Sequence, residues 1–316
     1  MNKQLTSTIL MIRPIAFRMN EQTAVNNYYQ KPATGLSAEE IQQKALTEFD
    51  TYVEKLRAHD IDVIVLDDTS VSSTPDSIFP NNWISFHDDG QVILYPLFAE
   101  NRRLERREDV IDQLVSYGFQ VAEVIDYTDF EVKNMFLEGT GSLILDRENK
   151  IAYAAISART DSDLVEKFAQ HLGYHPVVFE AFHDVEGQRL KIYHTNVMMC
   201  IADHFAIICL DSIDDKKERE EVEQTIVNSG KEIIELTEKQ VNSFAGNMLQ
   251  VENKGGKTYL VMSTAAHISL TNEQLGNIEK YCPIIYSSLE TIEELGGGSA
   301  RCMMAEVFLP KVPSQG

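Results

Sequence analysis

One cysteine of the chain stands in the surroundings that nucleophilic catalysis requires. Cys302 follows the run GGGSAR at positions 296–301 and opens an apolar stretch that we interpret as a strand. Three consecutive glycines cost backbone entropy, so a chain keeps them where it needs unusual dihedral angles or a close approach. Beside Arg301, at such a junction, we expect a partly exposed and ionised thiol, as a nucleophile must be. The alternative is a core cysteine, the commonest position of a free thiol.

A cysteine nucleophile needs a partner that moves protons, and histidine is the usual one. His194 is the best placed of the eight histidines, because it ends a strand-like run two residues before Asn196. His183 and His267 also lie near predicted strand ends and remain competitors. The alternative for each of the three is a satisfied histidine in the core or at a sheet edge.

Glu138 is the best placed of many carboxylates. It precedes Gly139-Thr140-Gly141, a tight turn that enters a predicted strand, so its side chain can point into a cleft. The alternative is an ordinary loop glutamate. The turn is not a dinucleotide fingerprint, because the sequence has no G-x-G-x-x-G and we expect no helix to follow.

Two further segments carry groups suited to ligand binding. The run Phe79-Pro80-Asn81-Asn82-Trp83 combines paired amides with the single tryptophan, and its alternative is a turn around a buried aromatic ring. Arg159 directly follows a predicted strand, and a guanidinium can clamp a carboxylate with two parallel hydrogen bonds. Its alternative is a surface arginine.

The elements that must position these residues alternate between short apolar runs and amphipathic stretches, which predicts one α/β domain over residues 1–316. The predicted strands are Thr8–Arg13, Asp62–Leu66, Val92–Pro96, Gln120–Ile125, Ser142–Leu145, Ile151–Ala155, Pro176–Phe179, Phe205–Leu210, Glu232–Leu236, Thr258–Met262, Ile284–Tyr286 and Met304–Phe308. The predicted helices are Ser37–His59, Arg102–Tyr117, Ser162–Leu172, Asp214–Ser229 and Asn272–Lys280. Strand–strand–helix units recur at irregular intervals, which suggests a structural repeat without a sequence motif.

Composition excludes several classes of function. The formal net charge of −21 argues against nucleic acid or an anionic membrane as a partner. The sequence has no apolar run long enough for a membrane span. Its four cysteines are scattered, which fits neither a disulfide framework nor a zinc site and favours a reducing cytoplasm. No P-loop or H-E-x-x-H motif is present, so we expect no metal and no organic cofactor.

In their order along nearly the whole chain, these motifs resemble those of the pentein superfamily of guanidine-modifying enzymes. Its members include arginine deiminase, dimethylarginine dimethylaminohydrolase, succinylarginine dihydrolase and the glycine amidinotransferases. The resemblance implies a five-bladed α/β propeller of strand–helix units around a pseudo-fivefold axis. Within the superfamily, the pattern is most similar to the bacterial amidinotransferase-like group that contains citrulline-utilisation hydrolases.

The resemblance also implies catalytic roles. Cys302 would attack the central carbon of a guanidino or ureido group. His194 would shuttle protons to the leaving amine and from the hydrolytic water. Glu138 would either orient His194 or hold the substrate nitrogens.

Substrate binding would fall on four further residues. Arg159 would bind the α-carboxylate, with Phe79 also in the substrate site. Asn82 and Asn196 would take the two positions where arginine deiminases carry aspartates, with Asn81 as the alternative to Asn82. A guanidinium has five donors and wants anionic acceptors, whereas a ureido group presents a carbonyl acceptor beside its N–H donors. Two amides in place of two carboxylates therefore favour citrulline.

Other functions stay open at this point. The same fold could act on a guanidine, as an arginine deiminase, a dimethylarginine hydrolase or an amidinotransferase. It could also be a non-enzymatic amino-acid-binding protein. We expect a small amino acid as the ligand, with neither nucleic acid nor membrane as a partner. The oligomeric state is left open, with a homodimer as one option.

Overall fold

The computed structural model describes residues 3–32, 35–69 and 73–311 of the chain. Its strands are β1 Thr8–Arg13, β2 Asp62–Asp67, β3 Ile84–Phe86, β4 Gln91–Leu94, β5 Glu123–Asp126, β6 Ile144–Asp146, β7 Ile151–Ala155, β8 His175–Phe179, β9 Phe182–Val185, β10 Gln188–Lys191, β11 Met199–Ile201, β12 Phe205–Ile208, β13 Glu232–Glu235, β14 Leu249–Glu252, β15 Thr258–Ser263, β16 Ile284–Ser287 and β17 Ala305–Glu306.

The helices have a wide range of lengths. They are α1 Glu21–Ala24, α2 Ala38–Ala58, α3 Asp109–Ser116, α4 Gly139–Ser142, α5 Ser162–Leu172, α6 Lys216–Asn228, α7 Glu238–Val241, α8 Thr264–Ser269, α9 Asn272–Glu279 and α10 Glu290–Gly296. Short 3₁₀ turns occupy Pro80–Asn82, Glu100–Glu105, Thr128–Lys133, Thr195–Val197, Leu210–Ser212 and Ala300–Met303. None of the helices in the described ranges combines the length and the apolar character needed to cross a membrane.

Within these residues the strands form five three-stranded sheets and one hairpin, β9–β10. Every three-stranded sheet has the same construction: its central strand pairs antiparallel with one neighbour and parallel with the other. The sheets are β17-β1-β2, β3-β4-β5, β6-β7-β8, β11-β12-β13 and β14-β15-β16. The chain is thus a mixed α/β fold built from one repeated unit.

Helices cover the connections between the parallel strands, because a parallel pair needs a long crossover. The crossover from β7 to β8 shows how local sequence fixes such a helix. Asp161 caps the start of α5 by accepting the backbone N–H groups of Asp163 and Leu164, and Gly173 ends it in the left-handed conformation at φ +69°. The apolar face of α5 buries Phe168 and Leu164 against the sheet.

The antiparallel partner of β1 comes from the far end of the described chain. Ile9 pairs with Glu306 and Leu10 pairs with Ala305, so β17 completes the sheet that β1 and β2 begin. In the other four sheets the antiparallel partner directly precedes the central strand. The first sheet therefore ties both ends of the described chain together.

A short turn precedes the antiparallel outer strand of four of the five sheets, and this position carries the polar residues of interest. The turn Pro80–Asn82 leads into β3, α4 leads into β6, Thr195–Val197 leads into β11 and Ala300–Met303 leads into β17. These four turns pack on one another through contacts of α4 with the 80–82 and 195–197 turns and of 80–82 with 300–303. The repeated unit thus brings distant sequence segments to one place.

The observed elements depart from the sequence prediction in several places. The predicted helix Arg102–Tyr117 is wrong in its first half, where a 3₁₀ turn ends at Arg106 in extended conformation and α3 begins only at Asp109. The predicted strands at 120–125, 142–145 and 304–308 are displaced or shortened. A one-turn helix, α4, follows Glu138, although none was expected. Five strands were missed: β3, β9, β10, β11 and β14.

Candidate active site

Five of the seven predicted site residues line one small cleft, and the other two, Glu138 and Asn196, bond to its lining residues His194 and Cys302. Its remaining volume is about 10 Å³, which is room for about one water molecule. The residues that line it come from several of the turns described above: Asn27, Asp76, Phe79, Asn82, Arg102, Arg159, Tyr193, His194, Gly296, Gly297, Gly298 and Cys302.

Cys302 lies in the 3₁₀ turn Ala300–Met303, not at the start of a strand, and its side chain is buried. The expectation of a partly exposed thiol is therefore wrong for this closed arrangement. Two side-chain amides donate to its sulfur: Nδ2 of Asn196 at 3.4 Å and Nδ2 of Asn247 at 3.2 Å. The guanidinium of Arg301 turns away and binds the Met304 carbonyl and the Glu306 carboxylate.

The glycine run before Cys302 is explained by close packing. Gly297 ends α10 with φ +63°, a left-handed conformation that favours glycine. A Cβ atom on Gly296 or Gly298 would lie 2.9 Å from the ring of Phe79. Phe79 therefore packs directly on the loop that carries the thiol.

His194 and Glu138 form a buried pair beside this loop. Nε2 of His194 lies 2.7 Å from Oε2 of Glu138. The other carboxylate oxygen of Glu138 accepts the backbone N–H of Phe98 at 3.0 Å. Burial lowers the pKa of His194 to about 4, although the bond to Glu138 opposes this shift. The imidazole is therefore neutral near pH 7.

Two arginines neutralise the buried carboxylate of Glu138. Nη1 of Arg159 lies 3.5 Å from its Oε2, and Nη1 of Arg102 lies 3.9 Å from the same atom. Burial alone would raise the pKa of Glu138, but Arg159, the hydrogen bond from His194 and the charge of Arg102 together hold this pKa far below its ordinary value. The carboxylate is therefore ionised near neutral pH.

Arg159 is fully buried and already has partners. Its Nε donates to Oδ1 of Asn26 at 2.9 Å, its Nη2 donates to the same oxygen and to the Thr23 carbonyl, and its guanidinium lies 4.8 Å from the centre of the Tyr193 ring. The amide oxygen of Asn26 accepts both of these N–H groups. It therefore occupies the edge of the guanidinium that a carboxylate could bind. The segment that carries Asn26 also contributes Asn27 to the cleft, and Asn27 and Gln30 donate to carbonyls of the glycine loop before Cys302.

The two asparagines of the substrate prediction differ in their availability. Asn82 uses its oxygen to accept Arg102 Nη1 at 2.7 Å and its nitrogen to donate to Asn81 Oδ1 at 3.1 Å. Asn196 donates to Cys302, and its buried Oδ1 finds no partner within the described part of the chain. Asn196 is thus the amide that still has an acceptor to offer a ligand.

Sequence reasoning missed several residues of this site, among them Arg102, Asp76 and Asn247. Arg102 was predicted to begin a helix, Asp76 had no motif around it, and Asn247 was not among the predicted site residues. Asn247 has a signal, because an asparagine followed by two apolar residues recurs at 82–84, 196–198 and 247–249. His183 and His267 lie elsewhere: His183 stacks on Tyr29, and the ring of His267 stacks on Tyr286.

Solved structures share this fold across almost the whole chain. The apo structure of ArgZ, an arginine dihydrolase of the ornithine–ammonia cycle in cyanobacteria, matches with a TM-score of 0.73 and 18% identity over 97% of this chain and 41% of that one. The substrate-bound N-terminal domain of ArgZ matches with a TM-score of 0.70 and 17% identity over 96% and 99%. A dimethylarginine dimethylaminohydrolase adduct with S-methyl-L-thiocitrulline matches with a TM-score of 0.61 and 16% identity over 96% and 99%. The chain therefore spans about two fifths of full-length ArgZ and nearly all of its N-terminal domain.

None of the curated proteins matches the sequence significantly. One family model does: N,N dimethylarginine dimethylhydrolase, eukaryotic, matches residues 13–309. That range contains every cleft residue named above. The chain belongs to this family, and with it to the pentein superfamily of hydrolases that attack amidino C–N bonds with a cysteine nucleophile.

Proposed function

We propose that this chain hydrolyses the ureido group of citrulline, or of a closely related amino acid, to give ornithine, ammonia and carbon dioxide. The observation that carries the proposal is the amide of Asn196. Its nitrogen donates to the Cys302 sulfur, and its buried oxygen has no partner among the described residues. A ureido N–H group can satisfy that oxygen without a buried charge on either side.

The charged groups of the cleft suit the α-carboxylate and α-ammonium groups of an amino-acid substrate. Arg159 offers a planar fork to an α-carboxylate once Asn26 withdraws. Asp76 accepts hydrogen bonds from Asn20 and Thr23 on Oδ2, while its buried Oδ1 has no partner in the part of the chain that the structure describes. We assign that oxygen to the α-ammonium group of the substrate.

The proposed reaction has two stages. Nδ1 of the neutral His194 takes the proton of the Cys302 thiol, the thiolate adds to the ureido carbon, and the carbonyl π electrons move to the oxygen. Collapse of this adduct re-forms the carbonyl and breaks one C–N bond, and the departing amine takes that proton from the His194 imidazolium. A thioester of carbamic acid remains on the sulfur. Water, which loses a proton to His194, then attacks the thioester carbon and breaks the C–S bond. The released carbamate decomposes, so that citrulline and one water yield ornithine, ammonia and carbon dioxide.

His194 is prepared for this work by Glu138. The hydrogen bond at Nε2 fixes the tautomer that carries its proton on Nε2 and leaves Nδ1 free to accept one. The ionised carboxylate then stabilises the imidazolium that forms in each stage. A group that acts as general acid or base in this way contributes a factor of about 10²–10⁴ in rate.

A guanidino substrate is the second candidate. Its support is the likeness to ArgZ, described as an arginine dihydrolase, and to AgrE, one structure of which is a complex with L-arginine. An arginine dihydrolase would produce ornithine from arginine, whereas an arginine deiminase would stop at citrulline. The proposal here differs in that arginine itself is not consumed.

The test is to incubate the purified protein separately with citrulline, arginine and dimethylarginine and to measure citrulline, ornithine and ammonia. Ornithine from citrulline, with arginine unchanged, supports the proposal. Consumption of arginine or dimethylarginine supports the second candidate. A Cys302→Ala variant must fold and lose all turnover, and full activity in that variant would overturn the assignment. Binding without turnover of any of the three would favour an amino-acid-binding protein.

We further propose that the five sheets are five blades around a pseudo-fivefold axis in a single catalytic domain. Strand β17 contacts β3, β6 contacts β11, and β11 contacts β14. Helix α4 contacts both β3 and β6, and the N–H of Glu252 donates to the Thr6 carbonyl between the fifth and first sheets. These contacts link each sheet to the next and support the ring. A cytoplasmic location and a homodimer remain predictions.

A further inference from the structure

Asn247 contacts the candidate nucleophile but lies outside the motifs from which the site was predicted. It precedes β14, the first strand of the fifth sheet, at the place that Asn82 and Asn196 occupy before β3 and β11. We propose that Asn247 is a catalytic residue whose amide N–H donates to the Cys302 sulfur, stabilises the thiolate that forms in the reaction and aims it at the substrate. This inference rests on Cys302 as the nucleophile and not on the identity of the substrate.

The orientation of the Asn247 amide is determined by its bonds. Its Oδ1 accepts the backbone N–H of Arg301 at 3.0 Å, so the oxygen cannot face the sulfur. Its Nδ2 donates to the Asn196 carbonyl at 3.0 Å and to Cys302 Sγ at 3.2 Å. A primary amide has two N–H groups and one oxygen. Here the oxygen accepts a backbone N–H and one N–H donates to a carbonyl, so the remaining N–H is the one directed to the sulfur.

The loop that carries Asn247 is held rigidly against the neighbouring turn. A Cβ atom on Gly246 would lie 2.3 Å from the carbonyl oxygen of Val197, so only glycine permits this approach. Phe244 has φ +61°, a left-handed conformation that is rare and costly for an aromatic residue. Its carbonyl accepts the N–H of Asn247 at 2.9 Å. A strained and tightly packed loop of this kind keeps a donor in place before the reaction begins.

The chemistry of the sulfur explains why a donor is needed there. A buried thiolate costs free energy unless hydrogen bonds or a positive charge compensate it. Arg301, the cation that the sequence suggested, binds Met304 and Glu306 instead. N–H donors favour the anionic form, because a thiolate accepts them better than a thiol does. Asn247 supplies the shorter of the two donor contacts.

Asn247 also differs from Asn196 in having no capacity left for a ligand. Its oxygen and both of its N–H groups are used by Arg301, Asn196 and Cys302. Its loss is therefore expected to lower kcat and the reactivity of the thiol, with little effect on KM. Loss of Asn196 would change KM as well.

The experiment measures alkylation of Cys302 by iodoacetamide at pH 7, mapped by peptide mass spectrometry, in the full chain. Asn247→Ala removes the donor, and Asn247→Asp keeps the shape but presents an oxygen to the sulfur. We expect alkylation at least about tenfold slower in both, as loss of about 1.4 kcal/mol implies, with kcat reduced in parallel and KM within threefold. The control is Asn242→Ala, an exposed position five residues earlier, which should alkylate at the wild-type rate.

The outcomes separate this inference from the proposed function. If wild-type Cys302 is not labelled selectively and a folded Cys302→Ala variant keeps its turnover, the nucleophile itself is misassigned. If wild-type Cys302 is labelled and a folded Asn247→Ala or Asn247→Asp variant is labelled within twofold of it, the role of Asn247 is overturned. Thermal unfolding identifies a variant that does not fold, and the other variant then decides.

Discussion

Nε2 of His194 lies 2.7 Å from Oε2 of Glu138, with both side chains buried and two arginines close to the carboxylate. The pair is separated by 56 residues in sequence, and it forms because the turns before β6 and β11 pack together. Such a bond orients an imidazole and stabilises its protonated form during the reaction. The arginines keep the carboxylate of Glu138 ionised, whereas a buried glutamate without such neighbours would be protonated.

Replacing Glu138 by glutamine should therefore remove most of the activity. A neutral amide cannot stabilise an imidazolium, and we expect kcat to fall by about 10²–10⁴-fold. Steady-state kinetics on the accepted substrate measures this change. The matched control is Glu131→Gln, because Glu131 pairs with Arg103 and Arg106 away from the cleft. A Glu138→Gln variant that folds and keeps wild-type kcat would contradict the proposed role.

Asn26 accepts hydrogen bonds from the guanidinium of Arg159, to which the carboxylate of the substrate is proposed to bind. The substrate must therefore break the bonds from Arg159 to Oδ1 of Asn26. Removing the competitor in Asn26→Ala should lower KM by roughly five- to tenfold, since a net hydrogen bond is worth about 1 kcal/mol. Titration of initial rate against substrate concentration measures KM.

The adjacent exposed residue supplies the control for this experiment. Val25 lies in the same segment with most of its side chain in solvent, so Val25→Ala should leave KM unchanged. An increase of KM in Asn26→Ala would show that Asn26 contacts the substrate and does not compete with it.

The sequence predicted best where one local signal dominated. Thr8–Arg13 and Ser162–Leu172 have the predicted bounds, because a continuous apolar run defines the first and a capping aspartate with a terminal glycine defines the second. The hairpin β9–β10 was missed because its strands, FHDV and QRLK, are largely polar and bury only one side chain, that of His183. Periodicity has no apolar face to detect in such a pair.

In the candidate site, too, residues with a local sequence signal were predicted and residues brought in by long-range packing were not. Cys302, His194, Glu138 and Arg159 each stand in a distinctive motif. Cys302, His194 and Arg159 line one cleft, and Glu138 contacts both His194 and Arg159. Their detailed partners could not be predicted, because Arg102 and Asn247 reach the cleft only through the packing of separate sheets. The expectation that Arg301 activates the thiol failed for the same reason: its nearest partners in space are the Met304 carbonyl and the Glu306 carboxylate.

Glu293 should make the stability of the protein depend on pH. It is buried, it accepts the Ser299 hydroxyl at 2.6 Å, and it has Glu48 and Glu290 as charged neighbours. Burial raises the pKa of Glu293 to about 7 from 4.5. Between these values the folded protein holds a proton that the unfolded chain has lost, so the free energy of unfolding falls as pH rises.

Glu293→Gln removes this titration. We expect the variant to lose less stability between pH 5 and 8, with a gain over wild type of about 1–3 kcal/mol at pH 8. Thermal unfolding at four pH values measures the difference. Glu294→Gln, at the exposed next position, is the control and should follow the wild-type curve. Parallel curves for Glu293→Gln and wild type would show that Glu293 does not titrate in this range.

Gly141 should be required for the position of His194. A Cβ atom there would lie 2.5 Å from Nδ2 of Asn82 and 2.8 Å from Nδ1 of His194. Because Nδ1 is the atom proposed to accept protons, Gly141→Ala should lower kcat by at least about tenfold and destabilise the fold by about 1–3 kcal/mol through overpacking.

The control is Gly276→Ala in α9, where the added Cβ would meet no atom of the described residues within 4 Å. That substitution should stabilise the protein by about 0.5–1 kcal/mol, since alanine favours the helix, and leave kcat unchanged. Kinetics and thermal unfolding of the two variants therefore separate displacement of the histidine from a general intolerance of alanine. A Gly141→Ala enzyme with wild-type kcat would contradict the requirement for glycine beside His194.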